Sequence, residues 1–234
     1  MLHTTPYSES SVVVKVFTRQ LGLRSYIIKG VRGRGGRVKQ NLLQPLSCLD
    51  MVVYNNEKTD LNYVKELSQL LSHSATQPLS YSPTQNALRF FMTEVLYKAL
   101  REAEPMPALF DYVESINSSL ITHHSSLPIT FLLTVARHLG IEPFDNYCTR
   151  EPLFDLQEGR FVSAPTETTL SPDLSALLHQ YLSSFHSLSL PLTPFHSSLD
   201  DRTALINALI TYYHLHLSGF SHFHSHEILH TVLQ

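Results

Sequence analysis

Basic and glycine residues are concentrated near the amino end of this chain. Eight of its 17 Lys and Arg residues lie within residues 15–39, and five of its eight glycines lie within residues 22–36. Residues 1–40 contain a single acid, Glu9, although the whole chain carries a formal net charge of −3. Lys and Arg side chains neutralise phosphates, and glycines let the main chain approach a ligand closely, so this combination suits a polyanion such as a phosphate backbone. The pattern therefore favours nucleic acid as the ligand over a charged loop that only aids solubility.

The glycine-rich run does not match the common nucleotide-binding motifs. A P-loop beginning at Gly30 reaches Gly35 but lacks the Lys-Ser or Lys-Thr that must follow. A dinucleotide motif beginning at Gly33 fails at Val38. This excludes an NTP or NAD site of either kind, and we predict instead an extended loop that spreads its basic residues widely. These residues stand at nearly alternate positions and are Arg32, Arg34, Arg37 and Lys39.

Histidines offer a second chemistry, metal binding. The chain has 14 histidines, and several lie close to its C-terminal end. His226 and His230 stand four residues apart on a predicted terminal helix, so two ligands are geometrically feasible, but no third ligand is evident. We interpret these histidines as exposed helix and loop residues. We assign no metal, no cofactor and no catalytic residue, which predicts a protein that is not an enzyme.

Length and composition indicate a globular protein of one large or two small domains. Of its 234 residues, 43% are hydrophobic and 16% are charged, values typical of folded chains. No apolar run approaches the roughly 20 residues of a membrane span, and the N-terminus lacks the features of a signal peptide. Cys48 and Cys148 are expected to be reduced thiols. We expect a cytoplasmic, nucleoid-associated protein.

Residues 1–78 are predicted to form a β domain. Residues 11–18 and 23–29 are rich in β-branched side chains, and Pro45 interrupts a third run. The other strand segments are residues 42–46, 49–54 and 61–67, the last of which is alternatively a helix start. Such short strands without intervening helices favour a five-stranded OB-fold β-barrel, which commonly binds single strands on one face. Its available aromatic side chains, most of which we expect to fill the barrel, are Tyr7, Phe17, Tyr26, Tyr54 and Tyr63.

Residues 79–234 are predicted to form an all-helical bundle, which makes the chain an α+β protein of two domains. Ser82, Pro83 and Gln85 give a capped helix start, and an apolar stripe of helical period follows. Further helices are predicted at residues 106–120, 127–139, 198–217 and 225–233, and another from residue 171. Residues 141–165 are predicted to be an irregular insertion with a hairpin at residues 153–162.

Four segments in register resemble the RecO family of bacterial DNA repair proteins, which are recombination mediators. They are Thr5-Pro-Tyr-Ser-Glu-Ser10, Val16-Phe-Thr-Arg-Gln-Leu-Gly22, Ile28-Lys-Gly-Val-Arg32 and Leu43-Gln-Pro45. Their order and spacing are similar to the family's Y-x-E, F-T-R-x-x-G, K-G-A-R and L-Q-P segments. The helical half is more weakly similar, through Met92-Thr-Glu-Val-Leu96 and the Leu109-Phe110 that follows.

The resemblance implies an N-terminal OB fold that binds single- and double-stranded DNA, followed by a helical domain. It also implies annealing of complementary strands coated by single-strand binding protein (SSB), and loading of the RecA recombinase together with RecR. The DNA-binding residues that it implies are basic side chains of the N-terminal region. They are Arg19, Arg24, Lys29, Arg32, Arg34, Arg37 and Lys39.

The resemblance carries two further expectations. Many members have four cysteines, as two C-x-x-C pairs, that form a zinc site in the helical half, where this chain has only Cys148. We therefore predict that residues 141–165 are a degenerate zinc-finger region held by packing, without metal. The SSB tail is acidic and apolar, and it requires an apolar pocket rimmed by bases. The candidates are Arg89, Lys98 and Arg101, which are predicted to face solvent or a partner, and Arg137.

Two other functions stay open at this point. One is an OB-type adaptor whose main partners are proteins, with the basic loop meeting an acidic tail. The other is a metal-dependent hydrolase that uses the C-terminal histidines, which the interpretation of these histidines as exposed residues disfavours.

Overall fold

The chain is divided into two compact units. The structure is a computed structural model that describes residues 1–32, 36–54, 59, 61–69, 81–100, 104–119, 126–186 and 197–225. The units are Met1–Thr122 and His123–Gln234. In the described part of the chain, the first unit contains a sheet and three helices, and the second contains three helices and a hairpin. None of these helices is long and apolar enough to cross a membrane.

A five-stranded sheet forms the base of the first unit. Its strands are β1 (His3–Pro6), β2 (Val12–Thr18), β3 (Gly22–Ile28), β4 (Leu49–Val53) and β5 (Asn62–Gln69). They pair in the order β1-β2-β3-β5-β4. Neighbours β3 and β5 run parallel, and the other neighbours run antiparallel. The β-branched residues of β2 suit a pleated, half-buried surface, and every residue of β2 pairs with one of β3.

Alternate side chains of the sheet meet in one hydrophobic cluster. Val12, Val14 and Val16 of β2 are buried together with Tyr26 and Ile28 of β3. Because successive strand residues point to opposite faces, this period of two identifies the inner face of the sheet. The strands predicted within residues 11–29, 49–54 and 61–67 are therefore confirmed, whereas β1 was not predicted.

The predicted closed barrel is wrong, although the α+β class is confirmed. No ladder joins β1 to β4 among the described residues, so the sheet keeps two edges. Two backbone hydrogen bonds bridge them instead: Leu46 N–H donates to the Met1 carbonyl at 3.0 Å, and the Met1 nitrogen donates to the Ser47 carbonyl at 2.8 Å. Leu46 has a φ of 56°, and this left-handed backbone cannot continue as a strand.

Residues Arg37–Leu42 form helix α1. The extended loop predicted for the basic residues is therefore wrong from Arg37 onwards, and no strand forms at residues 42–46. The helix begins after Gly36, which already has helical dihedrals, with φ −71° and ψ −10°. Val38 is the only β-branched residue of the helix, and Lys, Gln and Leu are good helix formers. The alternating basic residues resembled an extended pattern, but no apolar alternation accompanied them, which is why the prediction failed.

Two longer helices complete the first unit. Helix α2 (Pro83–Ala99) begins with the predicted capping box, in which the Ser82 hydroxyl accepts from Gln85 N–H at 3.2 Å and the Gln85 side chain accepts from Ser82 N–H at 2.8 Å. The predicted apolar stripe of α2 is buried. Helix α3 (Pro107–Ser119) follows, with Leu109 and Ile116 buried. Both helices group with the sheet, whereas the predicted boundary after residue 78 follows the change from strand to helix and stays a prediction.

The second unit packs α4 (Leu127–His138), α5 (Pro172–His186) and α6 (Leu199–His216) around an aromatic core. The Tyr213 hydroxyl on α6 donates to the Leu132 carbonyl on α4 at 2.6 Å in the buried interior. Gly140, with φ +72°, ends α4 as predicted. The terminal helix predicted at residues 225–233 lies outside the described residues, apart from its first residue.

The insertion between α4 and α5 contains the predicted hairpin, formed by β6 (Leu153–Asp155) and β7 (Arg160–Val162). Phe154 and Phe161 on these strands are fully buried and contact each other edge to face, with ring centroids 5.0 Å apart. This second unit is therefore mostly helical, and its hairpin lies in the insertion, as predicted.

Hydrogen bonds to one buried carboxylate hold the insertion. Asp155 accepts from the backbone N–H groups of Gln157 and Glu158, both at 2.8 Å, and from the hydroxyls of Thr166 and Thr168. Burial opposes ionisation of this carboxyl, but these hydrogen bonds outweigh it and lower the pKa of Asp155. The carboxylate therefore organises the segment from inside.

The zinc site that the resemblance implies has no matching donors here. Cys148 is exposed and free, and Glu151 stands three residues later, where a C-x-x-C pair would have its second thiol. The Glu151 carboxylate accepts a hydrogen bond from Asn146 at 2.7 Å. Within the described residues no group of three His, Cys, Asp or Glu side chains could hold a metal ion, so the residues present do not fit zinc.

Candidate nucleic-acid interface

The base of the glycine-arginine loop is fixed to a neighbouring turn. The Ser10 carbonyl accepts from the backbone N–H groups of Val31 at 2.8 Å and Arg32 at 3.2 Å. The Arg32 guanidinium also donates to the Ser8 carbonyl at 3.3 Å. The two resembling segments at residues 5–10 and 28–32 therefore meet in the fold, and together they orient the start of the loop.

Gly36 closes the other end of this loop against its start. The residue is buried, and a Cβ atom built there would lie 2.8 Å from the Gly30 carbonyl oxygen and closer still to the carbonyl of Val31. Gly30 has a φ of +70°, which lets the chain leave β3 in a tight turn. Glycine is thus required at the point where the two ends of the loop touch.

The structure separates the predicted DNA-binding residues into two groups. Arg19 and Arg24 lie at the β2–β3 turn, where Arg24 donates to the Leu21 carbonyl at 3.0 Å. Lys29 and Arg32 lie beyond the other end of β3. A seven-residue strand spans roughly 20 Å at about 3.3 Å per residue. The predicted residues therefore do not form one cluster.

The group at the β2–β3 turn already has an anionic neighbour. Arg19 forms an ion pair with Asp111 of α3 at 2.9 Å, and both side chains are largely exposed. An exposed pair of this kind contributes about 0–1 kcal/mol and is readily replaced by a phosphate. Nearby, burial raises the pKa of Tyr26, and Arg24 acts in the opposite direction. Tyr26 is a core residue and no part of the interface.

Lys29 and Arg32 share their end of the sheet with exposed tyrosines. The Lys29 ammonium lies 4.3 Å from the ring centroid of Tyr63, a cation–π contact. Tyr63 and Tyr54 are 40% and 58% exposed, and Tyr54 N–H donates to the Tyr63 carbonyl at 3.0 Å. The expectation that most aromatics fill the barrel holds for two of the five. Phe17 and Tyr26 are buried, whereas Tyr7, Tyr54 and Tyr63 are exposed.

Three predicted contacts lie in or directly after the loop. Arg34 lies outside the described residues. Arg37 and Lys39 lie on α1, whose backbone is described but whose first side chains are not. The predicted even spread of these residues along an extended loop is therefore wrong for the part that is helical. Their chain positions place all three directly after Arg32.

Arg89, the first residue proposed for the SSB tail, is buried and does not face solvent. It is only 4% exposed. Its guanidinium donates to the Asn117 side-chain oxygen and to the Pro45 carbonyl, each at 2.6 Å, and it lies 4.3 Å from the ring centroid of Tyr81. Burial lowers the pKa of Arg89, and Tyr81 and Cys48 act in the opposite direction. This arginine holds the loop before β4 against α2 and α3.

Two of the other proposed SSB contacts pair with carboxylates close to them in the chain. Lys98 pairs with Glu94 of the same helix at 3.1 Å and is mostly buried. Arg137, in the second unit, pairs with Glu142 at 2.6 Å. Arg101 lies outside the described residues. Three of the four proposed SSB contacts, Arg89, Lys98 and Arg137, already bind carboxylate or amide oxygens of this chain. The sequence prediction missed these contacts because residue spacing gives no signal of them.

The histidine-rich segment is only partly described. His222 and His224 are exposed, whereas His226 and His230 lie outside the described residues. His226, Glu227 and His230 have the spacing of an H-E-x-x-H motif, in which two histidines on one helix face bind zinc. The expectation that these histidines bind no metal was made without counting this motif as present, and it stays a prediction that a metal assay on the purified chain tests.

A sheet with a basic and aromatic edge, followed by helices, is typical of nucleic-acid-binding proteins. Comparison with known proteins shows which sequences this chain resembles. Residues 1–73 match the family model described as Recombination protein O N terminal. The chain is 26% identical to DNA repair protein RecO of Azobacteroides pseudotrichonymphae over 99% of its own length and 95% of the relative. It is 28% identical to DNA repair protein RecO of Porphyromonas gingivalis strain ATCC 33277 over 99% of this chain and 96% of the relative.

A third relative extends these matches. DNA repair protein RecO of Flavobacterium johnsoniae is 28% identical over 98% of this chain and 94% of the relative. The similarity therefore covers both units and not only the sheet. The chain is thus similar over nearly its whole length to DNA repair proteins RecO, and its residues 1–73 match the model of their N-terminal domain, the region of the four resembling segments.

Proposed function

We propose that this protein is a non-enzymatic recombination mediator that binds single- and double-stranded DNA through its basic N-terminal region. In this proposal it anneals complementary strands coated by SSB and, with RecR, helps to load a recombinase onto them. It acts on chromosomal DNA in the cytoplasm. The observation that supports DNA binding most directly is the concentration of basic residues on a loop whose base is fixed, in a chain that is otherwise acidic.

The geometry favours the loop end of the sheet as the main contact. Lys29 and Arg32 lie there with Arg34, Arg37 and Lys39 following in the chain, and the turn at Ser8–Ser11 holds the start of the loop. Arg19 and Arg24 provide a second contact at the opposite end of β3. A strand of nucleic acid that follows β3 would reach both groups.

The partner-binding part of the proposal rests on the family. We keep Lys98, Arg101 and Arg137 as the proposed contacts for the SSB tail. Arg89 is withdrawn because its guanidinium is buried against Pro45 and Asn117. RecR is proposed as a partner on the same family basis.

A salt titration tests DNA binding. If about six phosphates are contacted, the logarithm of the association constant should fall with the logarithm of salt concentration with a slope near −4 to −5. The triple variant Arg32→Ala, Arg34→Ala, Arg37→Ala should flatten this slope by about two or more units. Arg150→Ala with Arg160→Ala removes exposed arginines from the insertion and should leave the slope unchanged. An unaltered slope in the triple variant would show that the loop does not touch DNA.

Strand annealing tests the function itself. The intact chain should accelerate annealing of complementary SSB-coated oligonucleotides, and the triple arginine variant should not. If the intact chain does not accelerate annealing of coated strands, the mediator function is wrong, and the adaptor function with protein partners is favoured. A pull-down that tolerates loss of the three arginines but requires the helical half would then identify the adaptor surface.

A further inference from the structure

Two exposed tyrosines and two lysines form a small surface at the β4–β5 end of the sheet. Tyr54 directly follows β4, and Tyr63 lies opposite it on β5, because the ladder pairs Val53 with Val64. Directly opposite residues of an antiparallel pair project from the same face. Lys29 and Lys65 adjoin the tyrosines and line with them a groove of about 420 Å³. We call these four residues the tyrosine surface.

The outer face of β4 and β5 is distinct from the core face here. Met51, Val53 and Val64 pack on the hydrophobic cluster beneath the sheet. Tyr54 and Tyr63 are therefore not required to complete that core, and they rank among the most exposed large apolar side chains in the described residues. Exposed aromatic rings beside lysines are the groups that proteins use to bind single-stranded nucleic acid.

The geometry points to a subsite in which unpaired bases stack on Tyr54 and Tyr63 while Lys29 and Lys65 contact the flanking phosphates. This inference rests on the proposed DNA binding and specifies the form of DNA that this end of the sheet selects. A tyrosine ring can stack only on a base whose face is open. In a duplex the neighbouring base pairs cover those faces, so the subsite selects single strands.

The charges around the tyrosine surface permit this contact. Lys29 lies over the Tyr63 ring at 4.3 Å from its centroid, and a base that stacks on that ring moves the ammonium towards the phosphate beside it. Lys65 forms an ion pair with Glu66 at 3.5 Å, and both side chains are more than half exposed. Such an exposed pair is weak, so a phosphate that contacts Lys65 can displace Glu66.

An abasic strand separates stacking from phosphate contact. Binding is measured by fluorescence anisotropy with three labelled probes of equal length: oligothymidylate, an abasic single strand and a duplex. The intact chain should bind oligothymidylate about tenfold or more above the abasic strand, since each stacked base supplies about a tenfold factor. The variant Tyr54→Ala, Tyr63→Ala should bind the two single strands equally and the duplex unchanged. The variant Tyr54→Phe, Tyr63→Phe keeps both rings and should retain the preference.

The controls keep this inference separate from DNA binding as a whole. The triple arginine variant should bind all three probes more weakly, because each probe has a phosphate backbone whether or not its bases are present or paired. If the intact chain binds oligothymidylate and the abasic strand equally, or if the alanine variant keeps the preference, the subsite is wrong while DNA binding stands. If the intact chain binds none of the probes, both the subsite and the proposed function are wrong. A urea unfolding midpoint equal to that of the intact chain shows that the Tyr54→Ala, Tyr63→Ala variant is folded.

Discussion

The carbonyl oxygen of Ser10 accepts a hydrogen bond from the backbone N–H of Arg32 at 3.2 Å, and the same oxygen accepts from Val31 at 2.8 Å. Ser10 and Arg32, 22 positions apart, are thus fixed to each other where the basic loop leaves the sheet. Because the backbone is held and not only the side chain, the loop starts from a defined direction. A preorganised cationic loop loses less conformational entropy when it binds a polyanion.

Gly36→Ala should lower both the stability and the DNA affinity of the protein. The added Cβ would overlap the Val31 carbonyl, so the backbone must shift, and overpacking of this kind costs about 1–3 kcal/mol. The shift opens the base of the loop and weakens the proposed phosphate contacts. Urea unfolding and a DNA titration measure the two effects.

Gly140→Ala is the matched control for this substitution. Gly140 has a φ of +72° with nothing within 4 Å of an added Cβ, so the alanine is strained by about 1–2 kcal/mol without a clash. Its unfolding free energy should fall by a similar amount while DNA affinity stays unchanged. Equal DNA affinity for the two variants would contradict a role for the closed loop base.

Much of the fold could be predicted because its signals are local. The capping box at Ser82 and Gln85, the end of α4 at Gly140 and the hairpin at residues 153–162 each depend on neighbours in the sequence. The closed barrel could not be judged in this way. Closure depends on whether the edge strands β1 and β4 pair, and this long-range pairing has no local signal in the sequence.

The candidate site was predicted by residue type but not by arrangement. The concentration of basic residues identified the region, yet β3 separates Arg24 from Lys29, and pairing with β5 brings Tyr63 to Lys29. Such neighbours come from sheet order, which a single sequence does not specify. Arg89 shows the same limit. Its position off the apolar stripe predicted exposure, but a second helix and the Pro45 loop cover it.

Arg89→Ala should destabilise the first unit strongly. The substitution leaves the Pro45 carbonyl and the Asn117 amide oxygen without their buried donor, and breaking contacts of this kind costs about 3 kcal/mol. Arg89→Lys should recover little, because an ammonium cannot reach both acceptors as the planar guanidinium does. The measurement is the urea unfolding free energy of each variant.

Arg160→Ala serves as the exposed comparison for Arg89. Arg160 is about half exposed and pairs with Glu158 at 3.6 Å on the surface, so its removal should change the unfolding free energy by less than about 0.5 kcal/mol. If Arg89→Ala lowers the unfolding free energy no more than Arg160→Ala does, the buried hydrogen bonds of Arg89 are not maintained in solution.

Asp155→Asn should destabilise the insertion in a pH-dependent manner. The folded pKa of Asp155 is lowered because its hydrogen bonds outweigh the opposing effect of burial. Its contribution to stability is therefore fully present above the unfolded pKa of about 3.9 and is lost as pH falls through the lower folded value. At neutral pH the asparagine variant should lose about 3 kcal/mol of unfolding free energy, since an amide cannot accept from all four donors.

The difference between wild type and Asp155→Asn is the quantity to follow with pH. It should be largest above about pH 5 and should shrink below about pH 4, because wild type then protonates the same carboxyl. Glu167→Gln, an exposed carboxyl of the same insertion, should show neither the loss nor the pH trend. A difference that is constant from pH 7 to about pH 3 would show that the pKa of Asp155 is not lowered in the folded protein.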